Sequence, residues 1–406
     1  MKMMAPVELL DELVLEVLIR LPVKSILRFK SVSKAWRAII SDPSFIREHL
    51  EYSASKRKRN PSVLIAPHVL DSIIEGEDWP TTFSTQICFY QLLPGSATAE
   101  ARLMHSQDFP GEFRSVCHIA HCDGLVLLPT NTYVYLFNPA TRDTLRLPAE
   151  TNPNKIPVPP DICLPAGLGL DPRTGRYKVV RAFYRSIDPV TDVFHMGMQV
   201  YTVGEADASW RDTAADPPYT VVEWITAKSV EGRIFWVIDT NYKPRPPRCL
   251  LRFNLEDETF GLTGLPASFP GLDDSFSLDV MHEKLCLIAS SSSSTPGGTQ
   301  PAALSIWILV QDDARMNSRW EQRYSIQTTH IGRLMVMGHL SDDVVMLYAR
   351  RRLCRHRLHT TELTEMCNMD GLKYHRHRAG AVGPAGRNIF FFNVTPYMES
   401  LVRVTA

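Results

Sequence analysis

The chain contains the apolar run Gly124-Leu125-Val126-Leu127-Leu128, which is followed by Val134-Tyr135-Leu136-Phe137-Asn138 and then by Leu147-Pro148. The same order recurs later, with residues 232–236 (Gly-Arg-Ile-Phe-Trp), residues 250–254 (Leu-Leu-Arg-Phe-Asn) and Leu265-Pro266. Further units carry strand-like runs at 177–180 with 199–203, at 284–288 with 306–309, at 344–347 with 353–358, and at 389–392. Short alternating runs bounded by Gly, Pro, Asn and Asp are typical of β-strands.

The repeat has a period of roughly 45–55 residues with about four strands a unit, as expected for blades of a β-propeller. Closure of the ring removes the edges that an open sheet of this size would expose. The sequence therefore predicts a mainly β domain over residues 62–406, a β-propeller of six or seven blades, with residues 62–110 completing a seventh unit. The alternative is a large β-sandwich.

The first fifty residues follow a helical pattern instead. Leu9, Leu10, Leu13, Val14, Val17, Leu18 and Leu21 recur at three- and four-residue spacing and form one apolar stripe. Pro22 ends that helix, and Ser33 and Asp42 are placed to cap two later helices. A helical domain of this size buries little by itself, so the stripe indicates either packing on the main domain or docking into a partner's groove.

Residues 51–61 are basic and polar, and the sequence predicts a linker there. Its run Lys56-Arg57-Lys58-Arg59 suits a nuclear import signal, and is equally common in solvated linkers. Residues 1–60 carry twelve Lys/Arg and seven Asp/Glu, whereas the whole chain has a formal net charge of zero. That balance gives the large domain no general attraction for nucleic acid.

Eight scattered cysteines at positions 88, 117, 122, 163, 249, 286, 354 and 367 are expected to be free and buried, in a reducing compartment. The longest apolar run, 302–310, is too short to cross a bilayer. Acidic residues within the first apolar stretch exclude a secretory signal. We therefore expect a soluble protein of the cytoplasm, the nucleus or both.

Two motifs resemble a known family. Residues 8–30, with Leu21-Pro22-Val23-Lys24-Ser25, and the continuation Val32-Ser33-Lys34-Ala35-Trp36 are similar to an F-box of the plant type. Asp123-Gly124-Leu125-Val126, residues 137–142 (Phe-Asn-Pro-Ala-Thr-Arg) and residues 169–172 (Gly-Leu-Asp-Pro) resemble the F-box-associated, kelch-like region of plant F-box proteins. Asp11 departs from the proline usual in the F-box, and Ser31 from the usual cysteine.

The resemblance implies a function. Residues 1–50 would bind a Skp-type adaptor and, through it, a cullin, while the β domain would hold a target protein for ubiquitination. The expected adaptor contacts are Leu10, Leu13, Val17, Leu21, Pro22, Leu27 and Trp36. Alternatively, the chain would act with its adaptor outside a ligase, as a tether or stabiliser, or as a propeller enzyme with a regulatory F-box.

The loop that follows the Gly-x-x-x-x strand of each unit is the expected target contact, because recognition favours long loops on a rigid frame. That loop is short at 129–132, but long at 239–248 and at 289–302. Residue types common at interfaces mark the first long loop, namely Tyr242, Lys243, Arg245 and Arg248. The serine-rich loop, 289–302, is interpreted as a tolerated insertion.

Other residue clusters favour structural roles over further chemistry. On a strand, Cys117 and His121 face one way while His118 and Cys122 face the other. The four side chains therefore cannot converge on one zinc ion, and no zinc site is predicted. The basic run 350–357 is interpreted as a solvated outer strand, or as a patch for acidic partners. Phosphate-binding loops, nucleophile elbows and paired carboxylates are missing from the sequence, so we expect a non-catalytic protein without cofactor or metal.

Overall fold

The computed structural model describes most of the chain. The described residues are 11–59, 61–72, 82–93, 100–109, 113, 116–149, 156, 162–188, 190, 193–206, 208–223, 225–240, 246–269, 276–291, 302–312, 317–328, 335–341, 344–349, 351–357, 360, 363–375, 382–384 and 388–404.

Four helices precede the β domain: α1 Asp11–Ile19, α2 Val23–Phe29, α3 Lys34–Ser41 and α4 Pro43–Arg59. Both predicted caps are present. The Ser33 side chain accepts a hydrogen bond from Trp36 N at 3.0 Å, and Asp42 Oδ1 accepts one from Ser44 N at 2.8 Å. Among the described helices, none is both long and apolar enough to span a membrane.

Most of the segment predicted as a linker, residues 51–59, is helical, because α4 continues through Arg59. Ser53 and Ala54 are partly buried, and α4 packs along a strand of the β domain, Met335–Ser341. Near its end, Lys58 Nζ lies 2.9 Å from a carboxylate oxygen of Glu283. Tertiary packing of this kind extends a helix beyond the point where its own apolar periodicity stops.

The strands form six sheets in the described part of the chain, which we number as blades 1–6. Blade 1 begins with β1 Ser62–Ser72, β2 Thr82–Phe83, β3 Gln86–Leu92 and β4 Glu100–Asp108. Blade 2 contains β5 Ala120–Cys122, β6 Leu125–Pro129, β7 Val134–Asn138 and β8 Asp143–Arg146. Blade 3 contains β9 Ala166–Leu170, β10 Tyr177–Asp188, β11 Val193–Thr202 and β12 Arg211–Asp212.

Blade 4 contains β13 Lys228–Val230, β14 Arg233–Val237, β15 Cys249–Asn254 and β16 Phe260–Gly264. Blade 5 contains β17 Phe276–Met281, β18 Lys284–Ser291, β19 Ala302–Asp312 and β20 Asn317–Thr328. Blade 6 contains β21 Met335–Ser341, β22 Val344–Ala349, β23 Arg352–Arg357 and β24 Leu363–Asn368. Blade 1 is completed by β25 Lys373–His375, β26 Val382–Gly383 and β27 Ile389–Tyr397.

The six blades form a closed β-propeller. Innermost strands of successive blades contact one another in the order β5, β9, β13, β17, β21 and β27, and β27 contacts β5 again. Closure depends on antiparallel pairing of β27 with β1, from Ser62 opposite Tyr397 to Val69 opposite Ile389. Residues 62–108 and 389–397 therefore share blade 1, and the seventh blade left open by the sequence does not form. The β-sandwich alternative is excluded.

Two further expectations from the sequence are wrong. Cys117 and Cys163 are joined by a disulfide with their Cα atoms 5.9 Å apart, whereas composition predicted free cysteines throughout. The pairing brings together two blade-to-blade connections far apart in sequence, which residue counting does not reveal. The basic strand β23 pairs on both sides, with β22 and β24, so it is not the outer strand of its blade.

Side-chain hydrogen bonds and ion pairs connect neighbouring blades. Trp210 Nε1 donates to Pro148 O at 2.9 Å, from blade 3 to the end of blade 2, and Trp320 Nε1 donates to Gly264 O at 2.6 Å, from blade 5 to blade 4. A buried lysine, Lys178 of blade 3, lies 2.9 Å from both Asp171 Oδ2 and Glu258 Oε1 and donates to Leu255 O at 2.6 Å. Asp171 belongs to the same blade, whereas Glu258 and Leu255 follow strand β15 of blade 4.

The connections emerge on two opposite faces, because neighbouring strands in a blade are antiparallel. Turns from the first to the second strand, and from the third to the fourth, lie on one face. Loops from the second to the third strand, and the connections between blades, lie on the other. The helices pack on the first face, which we call the F-box face; the second is called the opposite face.

Candidate adaptor-binding and target-binding surfaces

The four helices share a small core. Its fully buried members are Leu18, Val23, Ile26, Ile40 and Phe45, together with Leu401 from the segment that follows β27. Around it pack partly buried side chains, among them Phe29 and Trp36, whose ring centroids lie 5.3 Å apart in an edge-to-face contact. Each core aliphatic side chain contributes about 1.5–3 kcal/mol by leaving water.

Helix α1 has a second apolar side that faces solvent. Leu13 is 52% exposed and Val17 is 60% exposed, whereas Leu18 is 1% exposed. Leu13 and Val17 are four residues apart, so they lie on the same side of the helix. Val32, in the turn before α3, is 61% exposed. Large aliphatic side chains this exposed are a feature of interaction surfaces when they cluster.

The predicted adaptor contacts therefore divide into two groups. Leu13, Val17 and Pro22 are exposed, while Leu21, Leu27 and Trp36 are half-buried against the helical core. Leu10 lies outside the described residues. Val32 was not predicted as an adaptor contact, although an apolar side chain next to the capping residue Ser33 could have indicated it. These assignments remain predictions, and the exposed group is the one available to a partner.

The helices are fixed to the propeller through residues 398–404, which we call the mounting segment. Ser400 Oγ donates to Asp123 O at 2.6 Å, and Asn138 Nδ2 donates to the carbonyls of Ser400 and Val402 at 3.0 and 2.9 Å. Gly124 must be a glycine here, since its φ is +85° and a Cβ would lie 2.2 Å from Ser400 Oγ. Leu401, by contrast, points into the helical core.

A carboxylate of the mounting segment reaches the F-box. Glu399 Oε2 accepts a hydrogen bond from Val23 N, at the first turn of α2, at 3.3 Å. Burial raises the pKa of Glu399, against the opposing effects of the Val23 N–H, Lys56 and Lys24. Beside it, His49 Nε2 donates to Leu21 O at 3.2 Å, and burial lowers the pKa of His49 despite that hydrogen bond.

The predicted target loop leaves blade 4 on the opposite face. Tyr242, Lys243 and Arg245 lie outside the described residues. Arg248 is exposed, and its Nη2 donates to Phe269 O, while its carbonyl accepts from Leu265 N at 2.9 Å. These contacts anchor the second arm of the loop to the connection that leads to blade 5. Arg248 is thus held in place on the opposite face.

The other candidate residues have structural roles. Cys117 is bonded to Cys163, and His121 Nε2 accepts from Gly124 N at 3.1 Å, within the turn between β5 and β6. Across the described residues, no group of three or more His, Cys, Asp and Glu side chains is arranged to hold a metal ion. On β23, Arg352, Arg355 and Arg357 are exposed and His356 is buried.

Comparison with known proteins gives two family matches. The model of the F-box domain matches residues 8–48, and that of the F-box associated beta propeller domain matches residues 81–349. An F-box/LRR-repeat protein of Arabidopsis thaliana is 26% identical over 80% of this chain and 68% of its own length. An F-box/kelch-repeat protein of the same plant is 26% identical over 79% and 68%, respectively.

A third relative, an F-box protein of Arabidopsis thaliana, is 27% identical over 64% of this chain. The chain spans 55% of that relative's length. The names of all three relatives include an F-box. The two family models match the helical part and the propeller, respectively.

Proposed function

This chain belongs to the F-box-associated β-propeller family, and we propose that it is the target-binding subunit of an SCF-type ubiquitin ligase. In this proposal a Skp-type adaptor binds the helices and connects them to a cullin, while the propeller holds a protein to be ubiquitinated. The observation that carries it is the solvent-exposed pair Leu13 and Val17, on a helix whose other side is buried.

The adaptor interface would use aliphatic anchors. Burial of an exposed Leu or Val side chain in a partner's groove is favourable by about 1.5–3 kcal/mol each, and a few such anchors dominate most interfaces. Leu13, Val17 and Val32 are available for this purpose without disturbing the helical core. Leu21, Leu27 and Trp36 would act by holding the helices in place, each with only part of its surface accessible.

The target would bind the opposite face of the propeller. The helices and the mounting segment pack on the F-box face, so within the described residues the opposite face is the one that they leave uncovered. The loop 239–248 emerges there, and its anchored Arg248 offers a cationic contact. Tyr242, Lys243 and Arg245 belong to the same proposed contact.

The chain would contribute position rather than chemistry. A ubiquitin-loaded conjugating enzyme on the ligase supplies the reacting atoms, and a rigid receptor raises the effective concentration of a target lysine near them. This role requires that the helices and the propeller keep a fixed relation. The contacts of Glu399, Ser400 and Leu401 with both parts support that requirement.

Co-purification from plant cells tests the proposal. The full-length chain, tagged, is compared with Val17→Asp and with Val190→Asp, a matched change at a 90% exposed valine on the propeller. We expect adaptor and cullin with the parent chain and with Val190→Asp, and neither with Val17→Asp. Adaptor without cullin would favour a tether outside a ligase, and full retention by Val17→Asp would refute this surface.

A further inference from the structure

A small cleft opens on the F-box face of blade 4. It has a volume of about 210 Å³ and is lined by Arg233, Arg252, Asn254, Asp257, Thr259, Phe260 and Gly261. The cleft lies beside the turn between β15 and β16, away from Leu13 and Val17 and away from the loop 239–248. Nothing in the proposed function uses it.

Strand register places the two arginines on the same side of the sheet. Arg233 is paired with Asn254, and Arg252 is paired with Phe235 and with Gly261. Directly opposed residues in an antiparallel pair share a face, so Arg233 and Arg252 are diagonal neighbours. Diagonal neighbours are roughly 7–8 Å apart at Cα, within reach of one another for side chains as long as arginine.

Gly261 shapes the position of Arg252. A Cβ at position 261 would lie 2.7 Å from Nη2 and 3.2 Å from Nε of Arg252, so the guanidinium rests directly over the glycine. The φ of Gly261 is not in the left-handed region, so alanine suits its backbone. A side chain at position 261 would therefore displace the guanidinium of Arg252.

Among the described residues, no carboxylate forms an ion pair with either arginine, although both arginines line the cleft. Asp257 also lines the cleft, but its carboxylate accepts hydrogen bonds from Thr259 N at 3.1 Å and from Thr259 Oγ1 at 2.7 Å. Two like charges within reach of each other repel.

A third cationic residue, Lys284, lies nearby in blade 5. Arg233 also lines an adjoining cavity of about 50 Å³ together with Lys284, Glu231 and Leu285. The residue before Lys284 is Glu283, whose carboxylate is bound by Lys58 of α4. The cleft and the adjoining cavity are therefore lined by three cations, Arg233, Arg252 and Lys284, and by the carboxylates of Asp257 and Glu231, while the carboxylate of Glu283 beside them is paired with Lys58.

We propose that this cleft binds a phosphate group. Two unpaired guanidiniums on neighbouring strands suit an oxyanion with several acceptor oxygens, and arginine is the residue best matched to phosphate. An anion between Arg233 and Arg252 would relieve their mutual repulsion. The location on the F-box face favours a free small molecule that carries the phosphate; a phosphorylated protein side chain is the other source of the same chemistry.

The test uses the full chain in complex with its Skp-type adaptor and inorganic phosphate as probe. Binding is followed by calorimetry and by the melting temperature, with sodium chloride at equal ionic strength as the reference, because screening alone changes both. We expect saturable binding by the parent complex. Arg233→Gln and Arg252→Gln should each weaken it by about tenfold or more, the usual effect of losing a charge-assisted hydrogen bond.

Two variants separate the cleft from charge and folding. Gly261→Ala keeps both arginines and should also weaken phosphate binding, because it displaces the guanidinium of Arg252. Arg173→Gln removes an exposed cation outside the cleft and should bind phosphate like the parent chain. No saturable binding by the parent complex, or equal affinity in the parent and Arg252→Gln complexes, would overturn the proposal.

Phosphoserine and a phosphorylated peptide distinguish the sources. If phosphoserine and the peptide both bind about as tightly as inorganic phosphate, the source is a small molecule. If the peptide binds much more tightly than either, the source is a phosphorylated protein. Adaptor co-purification, measured on the same variants, should be unchanged. Its loss in the parent chain would refute the proposed function without bearing on the cleft.

Discussion

The backbone nitrogen of Val23 lies 3.3 Å from Oε2 of Glu399, so a residue of the F-box is hydrogen-bonded to one that follows the propeller's closing strand. The first N–H groups of a helix have no partner inside it, and an acceptor at that position satisfies one of them. The first turn of helix α2 is therefore held to the mounting segment by this hydrogen bond.

We expect that this hydrogen bond, rather than the negative charge, holds the helices in place. Glu399→Gln keeps an acceptor oxygen and should retain the parent's resistance to trypsin in the helical part. Glu399→Ala leaves Val23 N buried without that acceptor, which costs about 1–3 kcal/mol, so cleavage at Lys24 and Arg28 should become faster. Equal cleavage of the two variants would show that the contact does not fix the helices.

The two sides of α1 should respond differently to truncation. Leu18→Ala removes a core side chain and should lower the free energy of unfolding of the helical part by about 2–5 kcal/mol. Leu13→Ala, at a side chain 52% exposed, should change that stability by less than about 0.5 kcal/mol yet weaken adaptor binding. Chemical denaturation and calorimetry with purified adaptor measure both. The hypothesis of an adaptor surface fails if Leu13→Ala binds as tightly as the parent.

The repeated strand pattern was sufficient to predict a propeller, because each blade is a local unit with its own glycines and turns. Ring closure was not predictable in this way, since the pairing of Ser62 with Tyr397 joins residues far apart in sequence. The end of α4 was missed for a similar reason: Ser53 and Ala54 are held by packing on the propeller, and no local apolar pattern marks them.

The candidate site was only partly predictable. Amphipathicity located the apolar stripe of α1, but the side that carries Leu18 packs in a core that includes Leu401, from the distant mounting segment. Asn138 belongs to the stretch 137–142 that resembles the F-box-associated region, and its side chain holds the mounting segment through the carbonyls of Ser400 and Val402. Side-chain roles of this kind require knowledge of what the tertiary fold places nearby.

Acid should weaken the contact between blades 3 and 4. Burial would raise the pKa of Asp171, but hydrogen bonds from Lys178, Thr174 and Arg173 N outweigh it and lower the pKa to about 2. The pKa of Glu258 is lowered in the same way, by Arg211 and Lys178 against burial. Stability from a lowered carboxyl pKa is complete above the ordinary value, 3.8 for Asp171, and is lost as the pH falls toward the folded value.

We expect Asp171→Asn to remove part of this acid dependence. Near neutral pH the variant should be less stable by about 3–5 kcal/mol, because it leaves a buried lysine with one carboxylate fewer. Its melting temperature should then fall less steeply than the parent's below about pH 4. Glu256→Gln, at an exposed carboxylate in the turn between β15 and β16, is the control. Parallel pH profiles for the parent and Asp171→Asn would contradict the assignment.

The target loop can be tested without disturbing its anchors. Cys249 Sγ donates to Pro247 O at 3.4 Å, and Arg248 is bound to the Phe269 carbonyl, so residues 246–248 should be kept. Replacement of residues 241–245 by a short Gly-Ser turn removes Tyr242, Lys243 and Arg245 and leaves those contacts intact. We expect adaptor binding and the melting temperature to be unchanged, since no described contact is lost.

Loss of target binding is the expected effect of the shortened loop, because Tyr and Arg side chains carry much of the affinity at protein interfaces. Proximity labelling with the proteasome inhibited should identify proteins enriched by the parent chain and depleted with the variant. Shortening residues 292–300, at the same repeat position in blade 5, is the control and should leave those proteins enriched. If both shortened chains label the same proteins as the parent, the target binds elsewhere on the propeller.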